Sequence, residues 1–99
     1  MKILALEHEL PGASPQAFQD LAKEEARKAW ELHQAGVIRE LYFRADRDTA
    51  VLILECRSVE EAASLLAGLP YVAQGLIDFE LVPLKAYPGF ERLFDNKPI

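Results

Sequence analysis

The sequence predicts an α+β fold of order βαββαβ: a four-stranded antiparallel sheet with two helices on one face. Three observations lead there. Four short apolar or alternating runs read as strands, two segments with helical periodicity open on serine caps, and a charged tip joins the two middle strands into a hairpin. Each element has its own local reason.

Lys2 to Glu9 is a short run, apolar at Ile3, Leu4, Ala5 and Leu6, and stopped by the Pro11-Gly12 turn pair. Ser14-Pro15 then starts a helix, with a hydroxyl to cap it and a proline whose missing N–H costs nothing at the first position. That helix is expected to run to about Ala35 and end at Gly36, which can take the left-handed cap conformation. Phe18, Leu21, Ala22, Ala26, Ala29, Trp30 and Leu32 fill one broad arc of it, so one face must be covered.

Val37 to Ala45 and Thr49 to Cys56 are rich in β-branched and aromatic residues and flank Asp46-Arg47-Asp48, the pattern of an antiparallel hairpin. Ser58-Val59-Glu60-Glu61 is a capping box opening a short helix to about Ala67. Gly68 and Pro70 end it, and Tyr71 to Gly75 read as a loop. Leu76 to Leu84 alternates as the last strand, with Ile77, Phe79 and Leu81 on one face and Asp78, Glu80 and Val82 on the other. Residues 87–99 form a tail whose Phe90, Leu93 and Phe94 call for docking on the domain or on its partner.

Right-handed crossovers between parallel strands make a ferredoxin-like split β-α-β sheet the leading topology. Two helices cover only one face. The other is expected to mix apolar Ile3, Ala5, Val51 and Ile53 with charged Glu7, Glu40, Asp78 and Glu80, which suits a homodimer whose sheets face one another around a lined cavity.

Composition narrows the function classes. At 99 residues the chain is one domain, 1–99, small enough to gain stability by association. A net charge of −5 argues against nucleic acid and anionic membrane surfaces, both of which require a basic patch. No apolar run approaches the roughly 20 residues of a membrane span, and charged residues arrive too early for a signal peptide. The expected compartment is the cytoplasm. A single cysteine, Cys56, leaves no internal disulfide and fits a reducing environment.

The segment WELHQAGVIRELYFRADRDTAVLILECRSVEEAASLLAGLP, continuing into IDFELVPLKAYP, resembles the muconolactone isomerase family of the dimeric α+β-barrel superfamily. Its most specific parts are Gly36, the Leu66-to-Pro70 helix exit, and the strand closing with Val82-Pro83-Leu84 and Pro88. The resemblance implies a ferredoxin-like subunit, dimerisation through open sheet faces with further assembly of dimers left open, and a cofactor-free double-bond shift in a small lactone by proton transfer. Ile3, Ala5, Glu40 and Phe43 stand where that family has polar residues, and PGFERLF departs from its pattern.

Proton transfer at carbon needs a base whose pKa has been moved toward neutrality. Glu40, Asp78 and Glu80 are the candidate catalytic carboxylates, with Glu7, Tyr42, Arg44 and Glu55 as candidate ligand-binding residues. Charged residues alternating along strands are equally accounted for by solvation or cross-strand pairing, so both readings stand at this point. His33 reads as a core residue with one backbone hydrogen bond, His8 as a strand-end residue and Cys56 as a small buried hydrophobe. The three share no metal-ligand spacing, so neither a metal nor a cofactor is expected. Trp30, Tyr42, Phe43, Tyr71, Phe79 and Tyr87 could line a pocket for a flat ligand or simply fill a core. The expected function is a cofactor-independent isomerase acting on a small lactone-like or aromatic-derived molecule. The alternative is a non-catalytic ligand-binding or protein-interaction module.

Overall fold

The computed structural model describes residues 1–95; the end of the predicted tail, 96–99, lies outside them. The elements are β1 (Lys2–Glu9), α1 (Pro15–Gln34), β2 (Ile38–Phe43), β3 (Ala50–Glu55), α2 (Val59–Leu66), α3 (Pro70–Ala73) and β4 (Ile77–Leu84), followed by a 3-10 turn at Gly89–Phe94. The strands lie in the order β2-β3-β1-β4, each antiparallel to its neighbour. This is two interlocked split β-α-β units. Each crossover leaves room for one strand of the other.

Helix ends follow their local chemistry. Ser14 Oγ accepts from the Ala17 N–H at 3.1 Å, and Pro15 is the first helical residue. At the other end Gly36 has φ +80°, its N–H bonds the His33 carbonyl, and the Val37 N–H bonds the Leu32 carbonyl at 2.9 Å, the paired bonds of a Schellman stop. Ser58 caps α2 by accepting from the Glu61 N–H at 3.0 Å. The reciprocal half of the box is displaced by one residue, because Glu61 accepts from the Arg57 N–H and pairs with the Arg57 guanidinium at 2.9 Å. The predicted loop at 71–75 contains the helical turn α3. Pro70 sits at its first position with φ already set for a helix.

The registers decide what faces the helices. Ile3 lies opposite Leu54, Ala5 opposite Leu52 and Leu81, and Glu7 opposite Phe79. Ile3, Ala5, Leu52, Leu54, Ala62, Leu66 and Leu69 form a contiguous core with Leu32 and Ile38. Ile3, Ala5 and Glu7 therefore face the helices, not the uncovered side expected for them. The cause is the run Ile3-Leu4-Ala5-Leu6, apolar on both faces, whose period of two cannot say which face is inside.

A bulge at Arg39 inserts one extra residue between Ile38 and Glu40 on β2. Without it, Ile38 would share a face with Glu40 and Tyr42. With it, Leu41 and Phe43 pair with Leu52 and Ala50 on the helix side, while Glu40 and Tyr42 pair with Ile53 and Val51 on the open side. The open face thus carries Leu4, Leu6, Val51, Ile53 and Val82 at half-buried positions, between edge strands bearing Glu40 and Asp78 with Glu80.

Beyond Leu84 the chain leaves the body. The radius of gyration is 17.0 Å, against about 13 Å for a compact domain of this length. Tyr87, Phe90, Leu93 and Phe94 are all exposed, Phe94 at 85%. The arm has local order of its own. The Tyr87 ring lies directly over buried Gly89, where a Cβ would collide with it, and meets the Phe90 ring edge-on at 5.1 Å. Among the described residues, no helix is long and apolar enough to cross a membrane.

Candidate active site

On α1, Ala22, Glu25, Ala26, Ala29, Trp30 and His33 recur at i, i+3, i+4, i+7, i+8 and i+11 and face the sheet. Three of the six are alanines, too short to reach the strands. The gap they leave is a cavity of about 580 Å³ between helix and sheet. Leu41 and Phe43 from β2, Ala50 and Leu52 from β3, and Ile77 and Phe79 from β4 make its far wall, with Leu69 and Tyr71 at the start of α3. Trp30 and Phe43, 59% and 66% exposed, are large apolar groups at its open side.

Few polar groups reach this space. Glu7, half-buried on β1, accepts one bond on Oε1 from the Ala50 N–H at 3.3 Å and has no ion pair among the described residues. Burial pushes its carboxyl up from the ordinary value, the Ala50 bond opposes this, and the charge of Glu9 adds to it. Glu25 is also pushed up, first by burial and further by Glu7, against a 2.9 Å bond from the Tyr71 N–H. Its oxygen ties α1 to α3. Tyr71 is fixed as well, its hydroxyl donating to the Phe18 carbonyl at 3.1 Å and its ring edge-on to Phe18 at 5.0 Å.

His33 marks the other end. Its Nδ1 lies 2.9 Å from the Ile38 carbonyl, which can only accept, so Nδ1 carries the hydrogen and Nε2 is left for other partners. The single backbone bond expected for it is present, but the side chain is exposed beside Trp30, the ring centroids 5.5 Å apart. Glu25 and His33 are eight residues apart on α1, about 12 Å along its axis. The cavity is thus an apolar slot with carboxylates at one end and an imidazole at the other.

The predicted site residues divide between two faces. Glu7 lines the cavity. Glu40, Asp78 and Glu80 lie on the open sheet face, exposed, and on opposite edge strands, about 14 Å apart by strand spacing. Glu40 accepts from the Tyr42 hydroxyl at 2.7 Å, a bond that holds the Tyr42 proton more tightly. Asp78 is 3.8 Å from His8, its register partner. Glu55 pairs with the amino terminus of Met1 at 2.9 Å, which keeps its carboxyl below the ordinary range. Arg44 grips both oxygens of Asp46 at 2.9 and 2.6 Å. Of the predicted aromatics, Trp30, Phe43, Tyr71 and Phe79 meet at the cavity, whereas Tyr42 is on the open face and Tyr87 on the arm. Cys56 is buried, and burial pushes its thiol up.

Sequence reasoning gave Glu25 no role at the site. The available signal was the alanine spacing around it, 22, 26 and 29, within a face otherwise expected to fill a core. Among the described residues no three His, Cys, Asp or Glu side chains converge as a metal site.

A family model described as muconolactone delta-isomerase matches residues 5–89, which include every residue lining the cavity. The chain belongs to the muconolactone delta-isomerase family. Two solved structures share its fold. A muconolactone isomerase superposes with a TM-score of 0.72 at 24% identity, covering 89% of this chain and 92% of that one. A 5-chloro-2-hydroxyhydroquinone dehydrochlorinase from Burkholderia phenoliruptrix, in complex with 2,5-dihydroxybenzoquinone, gives 0.68 at 20% identity, covering 90% and 98%. No curated protein matches. The family match stops at Gly89, so Phe90, Leu93 and Phe94 lie beyond it.

Proposed function

We propose that this protein binds a small lactone-like or aromatic-derived ring in the helix-side cavity and isomerises it by proton transfer, with Glu7 as the base and no cofactor. One observation carries the reading: a half-buried carboxylate with no ion pair among the described residues faces an apolar slot large enough for a small ring. A base of raised pKa takes a proton from the carbon beside a carbonyl more readily than a solvated carboxylate does. Returned by the same carboxyl to another carbon of the conjugated system, that proton moves the double bond with no net change in atoms. The two relatives, named for reactions of a lactone and of a hydroxylated ring, support the substrate class.

The open sheet face takes the second role, assembly. Leu4, Leu6, Val51, Ile53 and Val82 offer a self-complementary apolar centre for a homodimer, which leaves Glu40, Asp78 and Glu80 at its charged seam. The exposed Phe90, Leu93 and Phe94 project from their own domain, and a partner subunit is the surface they fit. A soluble, cytoplasmic dimer accords with this arrangement.

The chemistry is tested with α-angelica lactone, an uncharged unsaturated lactone whose double bond can migrate into conjugation. Conversion is followed by absorbance and deuterium uptake in D2O. Turnover by the wild type that is lost in Glu7→Gln supports the proposal. Equal exchange in both proteins, at the buffer rate, sinks it and leaves the non-catalytic alternative.

A further inference from the structure

We infer that the cavity selects uncharged ring ligands and rejects those bearing a carboxylate, an inference that rests on the cavity being the ligand site. The argument is the sign of every charge that faces the slot. From β1 comes Glu7, with Glu9 two residues further on; from α1 come Glu25 and His33; α3 supplies the neutral Tyr71. Among the described residues, no lysine or arginine lines the space.

The nearby cations are engaged or aimed elsewhere. Lys28 lies along Gly68 and pairs with Glu31 at 3.7 Å. Arg39 donates to the Gly36 carbonyl at 2.6 Å. Arg44 and Arg47 border an adjoining groove at the end of the sheet, which shares Glu7 and Ala50 with the slot, and both arginines are held against Asp46.

A ligand carboxylate in the slot would lose its water shell among alanines and aromatic rings. It would find two like-charged groups at one end and no guanidinium or ammonium to replace the solvent. A ring with only hydroxyl or carbonyl substituents meets no such penalty. Its hydroxyl can donate to the oxygen of Glu7 that carries no hydrogen bond among the described residues. The lining therefore separates members of the substrate class that differ only in one charged arm. Within this family, that sets the chain apart from a protein built to grip an acidic lactone.

The test pairs muconolactone, which carries a carboxylate arm, with its methyl ester, using quenching of Trp30, the single tryptophan, on the native protein. At pH 7.5 the ester is expected to bind at least tenfold more tightly than the acid, and the gap to shrink at least threefold in Glu7→Gln. Binding of the acid as tight as that of the ester overturns the selection by charge but leaves the cavity as a ligand site. A gap that persists in full in Glu7→Gln refutes the assignment of the repulsion to this carboxylate. If neither compound alters Trp30 fluorescence or protects the protein thermally, the cavity reading falls and this inference with it.

Discussion

Filling the cavity should stabilise the protein while abolishing ligand binding, and Ala26→Phe is the substitution that separates the two effects. Ala26 lies in the middle of the α1 stripe, between Ala22 and Trp30, and its methyl borders a space of about 580 Å³. That volume corresponds to roughly 19 waters at the ~30 Å³ each occupies in the liquid, so an added ring displaces solvent and no core atom. Full burial of a phenylalanine is worth about 1.5–3 kcal/mol. On the open side of the slot about half of that is realised, roughly 0.75–1.5 kcal/mol, and the lower helix propensity of phenylalanine removes about 0.5 kcal/mol. The net gain is thus about 0.25–1 kcal/mol, a rise in Tm of roughly 1–8 °C for a domain of this size. Circular dichroism melts measure the stability, and Trp30 quenching by α-angelica lactone measures binding, expected to weaken at least tenfold. A melting point lowered by several degrees would mean that the space is not free. Unchanged lactone affinity would mean that the ligand sits elsewhere. Either result refutes the reasoning.

Three further outcomes follow from the same geometry. Glu7 has a folded-state pKa above its unfolded value of about 4.5, so its contribution to stability is fully present below that pH and lost as pH rises through the raised value. Glu7→Gln should therefore be more stable than the wild type at pH 7–8, with the difference vanishing below pH 4.5, as urea unfolding across pH would record. Leu6→Asp, at the centre of the open face, should leave the subunit folded and weaken a two-fold dimer about a thousandfold, from roughly 2 kcal/mol per leucine counted twice, as read by sedimentation; an unshifted dimer would place the interface elsewhere. Gly36→Ala forces a Cβ onto φ +80° at the Schellman stop and should cost about 1–2 kcal/mol, a Tm loss of some 4–16 °C, with Gly36→Asn losing less.

Much of the architecture could be read from local chemistry. Ser14, Pro15, Gly36 and Ser58 mark helix ends because caps depend on a few adjacent atoms, and the alternation in Ile77 to Val82 separates the two faces of β4 because only one face is buried. The helical turn at Pro70 escaped because Tyr71 to Gly75 are too few to show a helical period. The site was harder. Glu7 entered among the ligand-binding candidates, but the catalytic candidates Glu40, Asp78 and Glu80 lie on the face away from the cavity, and Glu25 had no assigned part in it.

By itself the sequence determined the order of the strands with α1 and α2, the bounds of those two helices within a residue or two, and the family, since these rest on short-range patterns or on likeness along the chain. Only the tertiary structure decided the faces. The uniformly apolar Ile3 to Leu6 carries no parity signal, so pairing with Leu54 and Leu52 had to choose its inner side. One inserted residue at Arg39 reverses the parity of the rest of β2 and sends Leu41 and Phe43 to the cavity wall. The cavity itself is made by what three alanines fail to fill. A void is a property of packing between elements distant in sequence, and no local pattern contains it.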